Sequence, residues 1–383
     1  APNLRFPEFQ GEWEKCALEN LSTEIGDGIH ATPLYDDNGT YYFVNGNNIS
    51  EYGITITPTT QRVTEAEAYR NNANILCSET ILLSINGTIG NVALYKGEPI
   101  MLGKSACYIN VSTKVNKHFI FHYLMMPKCQ FYFTSELTGT TIKNLSLKSV
   151  RRTKVSLPNL KEQNRIAQLF DAINERIATQ TKAIDKLQSL IKGIVDSTIL
   201  CKPKNAKIGD VCAVSEQIKA MANLDDIITV RLHGKGVCKS NAENLQLGST
   251  QYYHRRVGQL IYGKQNFHNG AIGIVPQSLD YGITSKDIPS FDINYVKCNP
   301  LYLLTQLQAH RYYKSAEALT TGTGSKRLKE DTFLKMPIVL PNKGEQDAIA
   351  NLIGLITKKL DQANKALLLL SKQKQYLLRQ MFI

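Results

Sequence analysis

The sequence predicts an α+β protein: two similar mixed α/β domains, each followed by a long helix. The two helices pack on each other as an antiparallel coiled coil with pseudo-two-fold symmetry. Three observations carry this prediction. The chain of 383 residues repeats itself at a fixed spacing. Each repeat ends in a sustained heptad pattern. The segment ahead of each heptad run is rich in Tyr, Asn, Thr, Gly and short β-branched stretches.

The repeat is read directly. Residues 155–170 are VSLPNLKEQNRIAQLF and residues 338–353 are IVLPNKGEQDAIANLI. Leu157, Pro158, Asn159, Glu162, Gln163, Ile166, Ala167 and Leu169 recur as Leu340, Pro341, Asn342, Glu345, Gln346, Ile349, Ala350 and Leu352, always 183 positions on. The same offset carries Asn86–Gly90 onto Asn269–Gly273, and Gly139, Thr140, Lys143 and Leu145 onto Gly322, Thr323, Lys326 and Leu328. One ungapped offset across three blocks marks an internal duplication, with a period too long for a solenoid. At the front of the unit, residues 25–27 match 208–210 at 183, but Leu18–Leu21 resembles Ile208–Val211 at 190. The second register is preferred because both segments then open their domains. The resulting organisation is two globular domains, 1–154 and 201–337, and two helical spacers, 155–200 and 338–383.

Within the domains, ITIT (54–57), ILLSI (81–85) and QLIYG (259–263) read as strands, and HFIFHYLM (118–125) and LYLLTQLQ (301–308) as equivalent helices. In the first spacer, steps of four and three pick out a seam of Ile166, Phe170, Ile173, Ile177, Ile184, Leu187 and Ile191. In the second they pick out Ile349, Ile353, Ile356, Leu360, Leu367, Leu370 and Leu377, with Lys374 as a polar interruption that suggests fraying or a partner contact. Each helix opens with Leu-Pro-Asn. Pro stops the preceding strand, Asn159 or Asn342 caps, and Glu162 or Glu345 follows three residues on, as in a capping box. Neither helix can bury so long a stripe alone, so each is expected to cover the other.

Lys+Arg is 45 against Asp+Glu 33, a formal charge of +12 with a pI near 9.2, which points to a polyanionic partner. The longest purely apolar run, residues 366–370, is far short of the roughly 20 needed to span a bilayer. The first residues lack a basic region followed by an apolar one, so no signal peptide is expected. Eight cysteines at scattered positions, without CxxC, read as reduced thiols in a cytoplasmic protein.

No catalytic motif emerges. Gly-Lys-Ser at 103–105 lacks the glycine spacing of a phosphate-binding loop. His118 and His122 stand four apart, but packing explains them better than a metal does, and no metal is expected. Binding to double-stranded DNA fits better. The NGTIG and NGAIG turns can approach a groove, with Asn86, Thr88, Lys264, Gln265, Asn266, His268 and Asn269 as contacts; the plain alternative is a hairpin turn. Thr140, Lys143, Thr323, Lys326 and Arg327 suit phosphate, as do Lys104 and Lys286 in similar places of their units. The alternative for the Gly-Thr…Lys blocks is a solvated turn before a helix. Arg255–Arg256 reads as a solvated basic pair. Duplicated modules with unlike loops should read a split, asymmetric site.

Two variable domains, each followed by a helix opening L-P-x-x-x-E-Q, resemble the specificity subunit of type I restriction–modification enzymes. So do the start LRFPEF…W (4–13) and Gly-Asp-Gly-x-His (26–30). The resemblance implies two target recognition domains and a helical ruler that docks two methyltransferase (modification) subunits. Restriction/translocase subunits join through these. The chain itself would be non-catalytic and carry no cofactor; S-adenosylmethionine, ATP and Mg would belong to the partner subunits. A coiled-coil scaffold that never touches DNA is the alternative, and it leaves the positive charge unexplained.

Overall fold

The computed structural model describes residues 2–71, 73–139, 143–240, 250–321 and 326–382. The chain forms two compact units: residues 1–182 with 365–383, and residues 183–364. The division falls inside both long helices. A unit is therefore a globular domain together with parts of both spacers.

In the first unit, strands β1 (Ser22–Asp27), β2 (Thr80–Ser84), β3 (Val92–Leu94) and β4 (Ala106–Val111) make an antiparallel sheet in the order β1-β4-β2-β3. Every residue of β2 and β4 is buried. Ile81, Leu83 and Ile109 face the main core, which includes helix α1 (Lys117–Met125), while Leu82 and Tyr108 face a smaller cluster around Val44, Ile49 and Ile100. A strand covered on both sides needs a continuous apolar run rather than alternation, and ILLSI is such a run. ITIT differs from expectation. Only Gly53–Ile54 is paired, and Thr55–Thr57 is exposed loop. The Thr57 N–H donates to Thr60 Oγ1 at 2.8 Å across Pro58, a turn in place of extended strand.

The spacer helix α2 (Leu160–Ile194) follows, ending in a π-helical turn over Val195–Leu200. In the second unit, β5 (Cys212–Val214), β6 (Leu260–Tyr262), β7 (Ile272–Ile274) and β8 (Ser290–Ile293) form a sheet in the matching order β5-β8-β6-β7. Helix α3 (Pro300–Leu307) takes the place of α1, and α4 (Lys343–Gln380) is the second spacer. At the domain openings, Ala17 pairs with Lys154 and Lys207 with Pro337. Single 3-10 turns, Leu18–Leu21 and Ile208–Asp210, then lead into β1 and β5. The opening is thus offset by 190 and the close by 183.

The L-P-x-x-x-E-Q motif has a structural explanation. Gln163 Oε1 accepts from the Asn116 N–H at 2.9 Å while its Nε2 donates to the Pro158 carbonyl at 2.8 Å. Gln346 repeats both contacts with Asn299 (2.9 Å) and Pro341 (2.8 Å). Asn116 and Asn299 are the N-caps of α1 and α3. Each glutamine therefore ties the spacer's first turn to the domain helix. Asn159 and Asn342 accept from the Glu162 and Glu345 N–H groups, both at 3.0 Å, as expected of caps. The glutamates do not complete capping boxes. Glu162, fully buried, takes Arg5 in a bidentate pair at 2.7 Å for both bonds, and Glu345 pairs with Lys202.

Of the seam positions, Ile166, Phe170, Ile173, Ile177, Ile184, Ile353 and Ile356 are buried, and Leu187, Ile191, Ile349, Leu360, Leu367, Leu370 and Leu377 are half-buried. Off the seam, Leu190, Leu352, Leu355, Leu368 and Leu369 are exposed. In the first unit, Ile166 and Phe170 share a core with Leu378, Met381 and Phe382; the Phe170 and Phe382 rings lie 5.5 Å apart. In the second unit, Ile199 shares a cluster with Ala350 and Ile349. Each unit holds the head of one helix beside the tail of the other, the pairing of antiparallel helices. Lys374 is neither frayed nor solvent-facing: it is buried and reaches Glu51 at 2.6 Å. Among the described residues no helix is long and apolar enough to cross a membrane.

Candidate nucleic-acid interface

Past the end of β2, the Ile85 N–H donates to the Ser105 carbonyl (3.0 Å) and the Ile85 carbonyl accepts from Leu145 N–H (2.9 Å). Asn86 forms a bridge with Asn144. Three turns, 85–90, 103–105 and 143–144, are thereby gathered at one sheet end. A fourth segment joins them. The Gly46 N–H donates to Ser105 Oγ at 2.8 Å, and Thr88 Oγ1 donates to the Gly46 carbonyl at 2.7 Å. A Cβ on Gly46 would lie 2.2 Å from Ser84 Oγ, so this close approach requires glycine. Thr88, Lys104 and Lys143 are exposed on this cradle and Asn86 is half-buried.

The second unit repeats the wiring with other residues. The Lys264 N–H donates to the Asp287 carbonyl (2.9 Å) and the Lys264 carbonyl accepts from Leu328 N–H (2.8 Å). Lys264 thus stands where Ile85 does, Asp287 where Ser105 does and Leu328 where Leu145 does. Lys286 then matches Lys104, Lys326 matches Lys143, and Gln265 matches Asn86. Thr138 paired with Asn144 corresponds to Thr321 bridged to Arg327. Thr140 and Thr323 lie outside the described residues.

The structure therefore corrects the alignment of the glycine turns. Asn86 and Asn269 are not equivalent: Ser84 bonds across its loop to Asn91 as Gly263 does to Ala271, so the two loops are offset by 179 and 180 positions rather than 183. Asn269 closes a 3-10 turn, Phe267–Asn269, and its carbonyl accepts from the His233 N–H at 2.7 Å. Its amide Nδ2 lies 3.3 Å from both Asn266 Oδ1 and His268 Nε2. Gly270 (φ 78°) is buried against this neighbour: a Cβ there would lie 2.9 Å from Gly234 N. Packing, not groove access, demands that glycine. Gly87 (φ 75°) has open space around it instead.

The electrostatics also differ. Lys264 pairs with Glu330 at 2.8 Å, Arg327 with Asp287 at 3.2 Å and Lys326 with Glu317 at 3.4 Å. The Lys326 ammonium, with Lys314 adding to it, holds the Glu317 carboxyl below the usual carboxylate range. Lys104 and Lys143 have no ion-pair partner among the described residues. Gln265, Asn266 and Lys286 are exposed, and His268 and Asn269 half-buried.

Two other groups singled out in the sequence stand in unlike surroundings. His118 and His122 both point at Asp171, at 2.7 and 2.8 Å, and among the described residues no group of three or more His, Cys, Asp or Glu is placed to hold a metal. Burial pushes the His122 imidazole down from its ordinary value, against the hydrogen bond to Asp171. Burial also opposes ionisation of Asp171, but the bonds from the two histidines outweigh it and hold that carboxyl below the usual range. Arg255 is not solvated: it is fully buried, while Arg256 is exposed. Sequence reasoning missed Arg255, Asp287, Glu317 and Glu330, since nothing in residue spacing marks which acids will meet which bases.

Residues 10–189 match the family described as type I restriction modification DNA specificity domain. The specificity subunit of the MjaVIII type I restriction enzyme from Methanocaldococcus jannaschii is 20% identical over 332 residues, covering 77% of this chain and 78% of that protein. The EcoBI specificity subunit from Escherichia coli is 26% identical over 115 residues, 30% of this chain and about a quarter (24%) of its own length. Among solved structures, the S subunit of a type I restriction-modification system from M. genitalium shares the fold with a TM-score of 0.65 at 15% identity, covering 100% of this chain and 99% of that one.

Proposed function

We propose that this chain is the DNA sequence-specificity subunit of a type I restriction–modification complex, reading a bipartite, asymmetric target. The observation that carries the reading is the pair of equivalent turn clusters: Lys104 and Lys143 in one unit, Lys286 and Lys326 in the other, at matching places on matching sheets. Lysines at fixed positions suit phosphate, which sets register but carries no sequence information. The unlike residues between them, Asn86 against Gln265 with the longer Asn266–Asn269 loop, suit base edges. Either amide can bond the N6/N7 edge of adenine. The difference between the clusters is what an asymmetric site requires.

In this reading the spacer helices set the distance between half-sites and dock two methyltransferase subunits, with restriction/translocase subunits joining through them. Adenine methylation with S-adenosylmethionine, and ATP- and Mg-dependent cleavage, belong to those partners, and this chain supplies recognition. The test is a mobility shift of the chain with its methyltransferase subunit on mixed-sequence duplex across a salt series, followed by methylome sequencing of cells carrying both genes. Expected are a shift that weakens steeply with salt and a split methylated motif. A complex that forms but never shifts DNA would favour the scaffold alternative.

A further inference from the structure

Among the described residues of the second unit Arg255 is the most deeply buried charge, and its hydrogen-bond partners are neutral. Nε donates to Thr284 Oγ1 at 2.7 Å, Nη1 to Ser290 Oγ at 3.0 Å and Gln217 Oε1 at 3.4 Å, and Nη2 to the Ile288 carbonyl at 3.0 Å. Its guanidinium also lies 5.8 Å from the centre of the Tyr253 ring. Desolvation pulls it down to about 10, against the pull of Glu330 and Tyr253. A buried charge whose hydrogen-bond partners are all neutral depends on each of those bonds being made.

The partners share one location. Thr284, Ile288 and Ser290 bracket the turn that carries Lys286 and Asp287, and the Thr284 hydroxyl itself donates to the Ile288 carbonyl at 2.9 Å. Asp287 in turn holds the Lys264 N–H through its carbonyl and Arg327 through its carboxylate. One guanidinium thus fastens the start, middle and end of the turn, and through Asp287 it reaches the other two segments of the cluster. The first unit does this differently. Its 103–105 turn is held by neutral groups, with Ser105 Oγ donating to Asn45 Oδ1 at 2.8 Å and accepting from Gly46.

We infer that Arg255 is a positioning residue for DNA recognition by the second unit: it does not reach the duplex, but fixes the 284–290 turn in the shape that presents Lys286 and Arg327. This rests on the proposed function, in which that turn faces DNA.

The test uses the full chain. Arg255→Lys keeps the charge but lacks the planar fork that serves Thr284, Ile288 and Ser290 at once. Amide hydrogen exchange without DNA should speed up by about tenfold across 284–290, as expected for a lost buried hydrogen bond. Exchange at 103–105 should be unchanged. In complex with the methyltransferase subunit, the variant should lose discrimination at one half of the split target and keep it at the other, because the same turn holds, through the Asp287 carbonyl, the Lys264 N–H that leads into the 265–269 loop assigned to base edges. Thr284→Val removes the bridging hydroxyl and leaves Arg255 in place; it should move the same amides and the same half-site by less, and it decides the matter if Arg255→Lys does not fold. Unchanged exchange at 284–290, or equal loss of discrimination in both halves, overturns the inference. If exchange responds while Lys286→Ala and Arg327→Ala leave DNA affinity unaltered, the DNA-facing reading of the turn falls, and the recognition role of Arg255 with it.

Discussion

The two turn clusters share their backbone wiring and almost none of their side-chain chemistry. In the first unit the turns are joined by hydroxyls and amides, Ser84, Thr88, Ser105 and Asn45, and the exposed lysines stand clear of carboxylates among the described residues. In the second the turns are cross-linked by ion pairs, and a buried arginine does the anchoring. The backbone hydrogen bonds at Ile85 and Lys264 need no particular side chain, so a duplicated scaffold can diverge on its surface without losing its frame. The same contrast runs through the spacer motif, where identical Glu-Gln pairs sit in unlike surroundings.

The largest expected effect lies there. Glu162 has 0% of its side chain exposed and Arg5 15%, whereas Lys202 and Glu345 expose 37% and 39%. Arg5→Ala strands a buried carboxylate and should cost about 3–5 kcal/mol. Lys202→Ala removes a surface pair and should cost roughly 0–1 kcal/mol. Urea midpoints of the two variants measure this directly. Equal losses would mean that the two glutamates are equally solvated and that the contrast is unreal.

The next comparison concerns the clusters themselves. Lys104→Ala with Lys143→Ala removes two charges that no neighbouring acid neutralises, so the salt dependence of DNA binding should flatten by about two phosphate contacts. Lys326→Ala with Arg327→Ala removes charges already shared with Glu317 and Asp287, and should flatten it by less. Both pairs should weaken all sequences alike. Fluorescence anisotropy against salt separates the two; a larger change from the second pair would reverse the assignment of which unit grips the backbone harder.

Much of this was legible in residues. The heptad steps separate buried Ile177 and Ile353 from exposed Leu355 and Leu369, because burial on a helix follows its period. The domain helices and the two-sided strands were equally plain. Fixed offset misled at Asn269, since connection lengths are not constrained by strand pairing: the strands flanking that loop are displaced by 179 and 180 positions, not by the 183 that holds at the close of the domain. Arg255 was unreadable because its burial depends on Thr284, Ile288 and Ser290, about 30 residues away and neutral. Lys374 went wrong for a related reason: its partner Glu51 lies 323 positions earlier. Local pattern reports which face of an element is apolar; it does not report which distant polar group will be there to meet an exception.

The smallest effect tests whether pH acts on the two units alike. At the place of His122 and Asp171, the second unit has Thr305 and Gly354, so that titratable pair has no counterpart there. His122 is depressed by burial, so below about pH 6.5 the unfolded chain takes up the proton that the folded one resists. Stability of the first unit should therefore fall as pH drops from 7 towards 5, by less than about 1.4 kcal/mol per pH unit. Asp171, held below its ordinary value, contributes stability that is present above pH ~4 and is lost as pH falls further through its folded value. The chain's one tryptophan, Trp13, is buried in the first unit's core with its ring 5.9 Å from Phe119, so its fluorescence reports that unit. Urea midpoints read from Trp13 should decline between pH 7 and 5, and His122→Thr, although less stable throughout, should show a flatter slope. A wild-type midpoint that stays level over that range would mean the imidazole is already protonated against Asp171 in the folded chain, and the two units would then differ in packing but not in their response to acid.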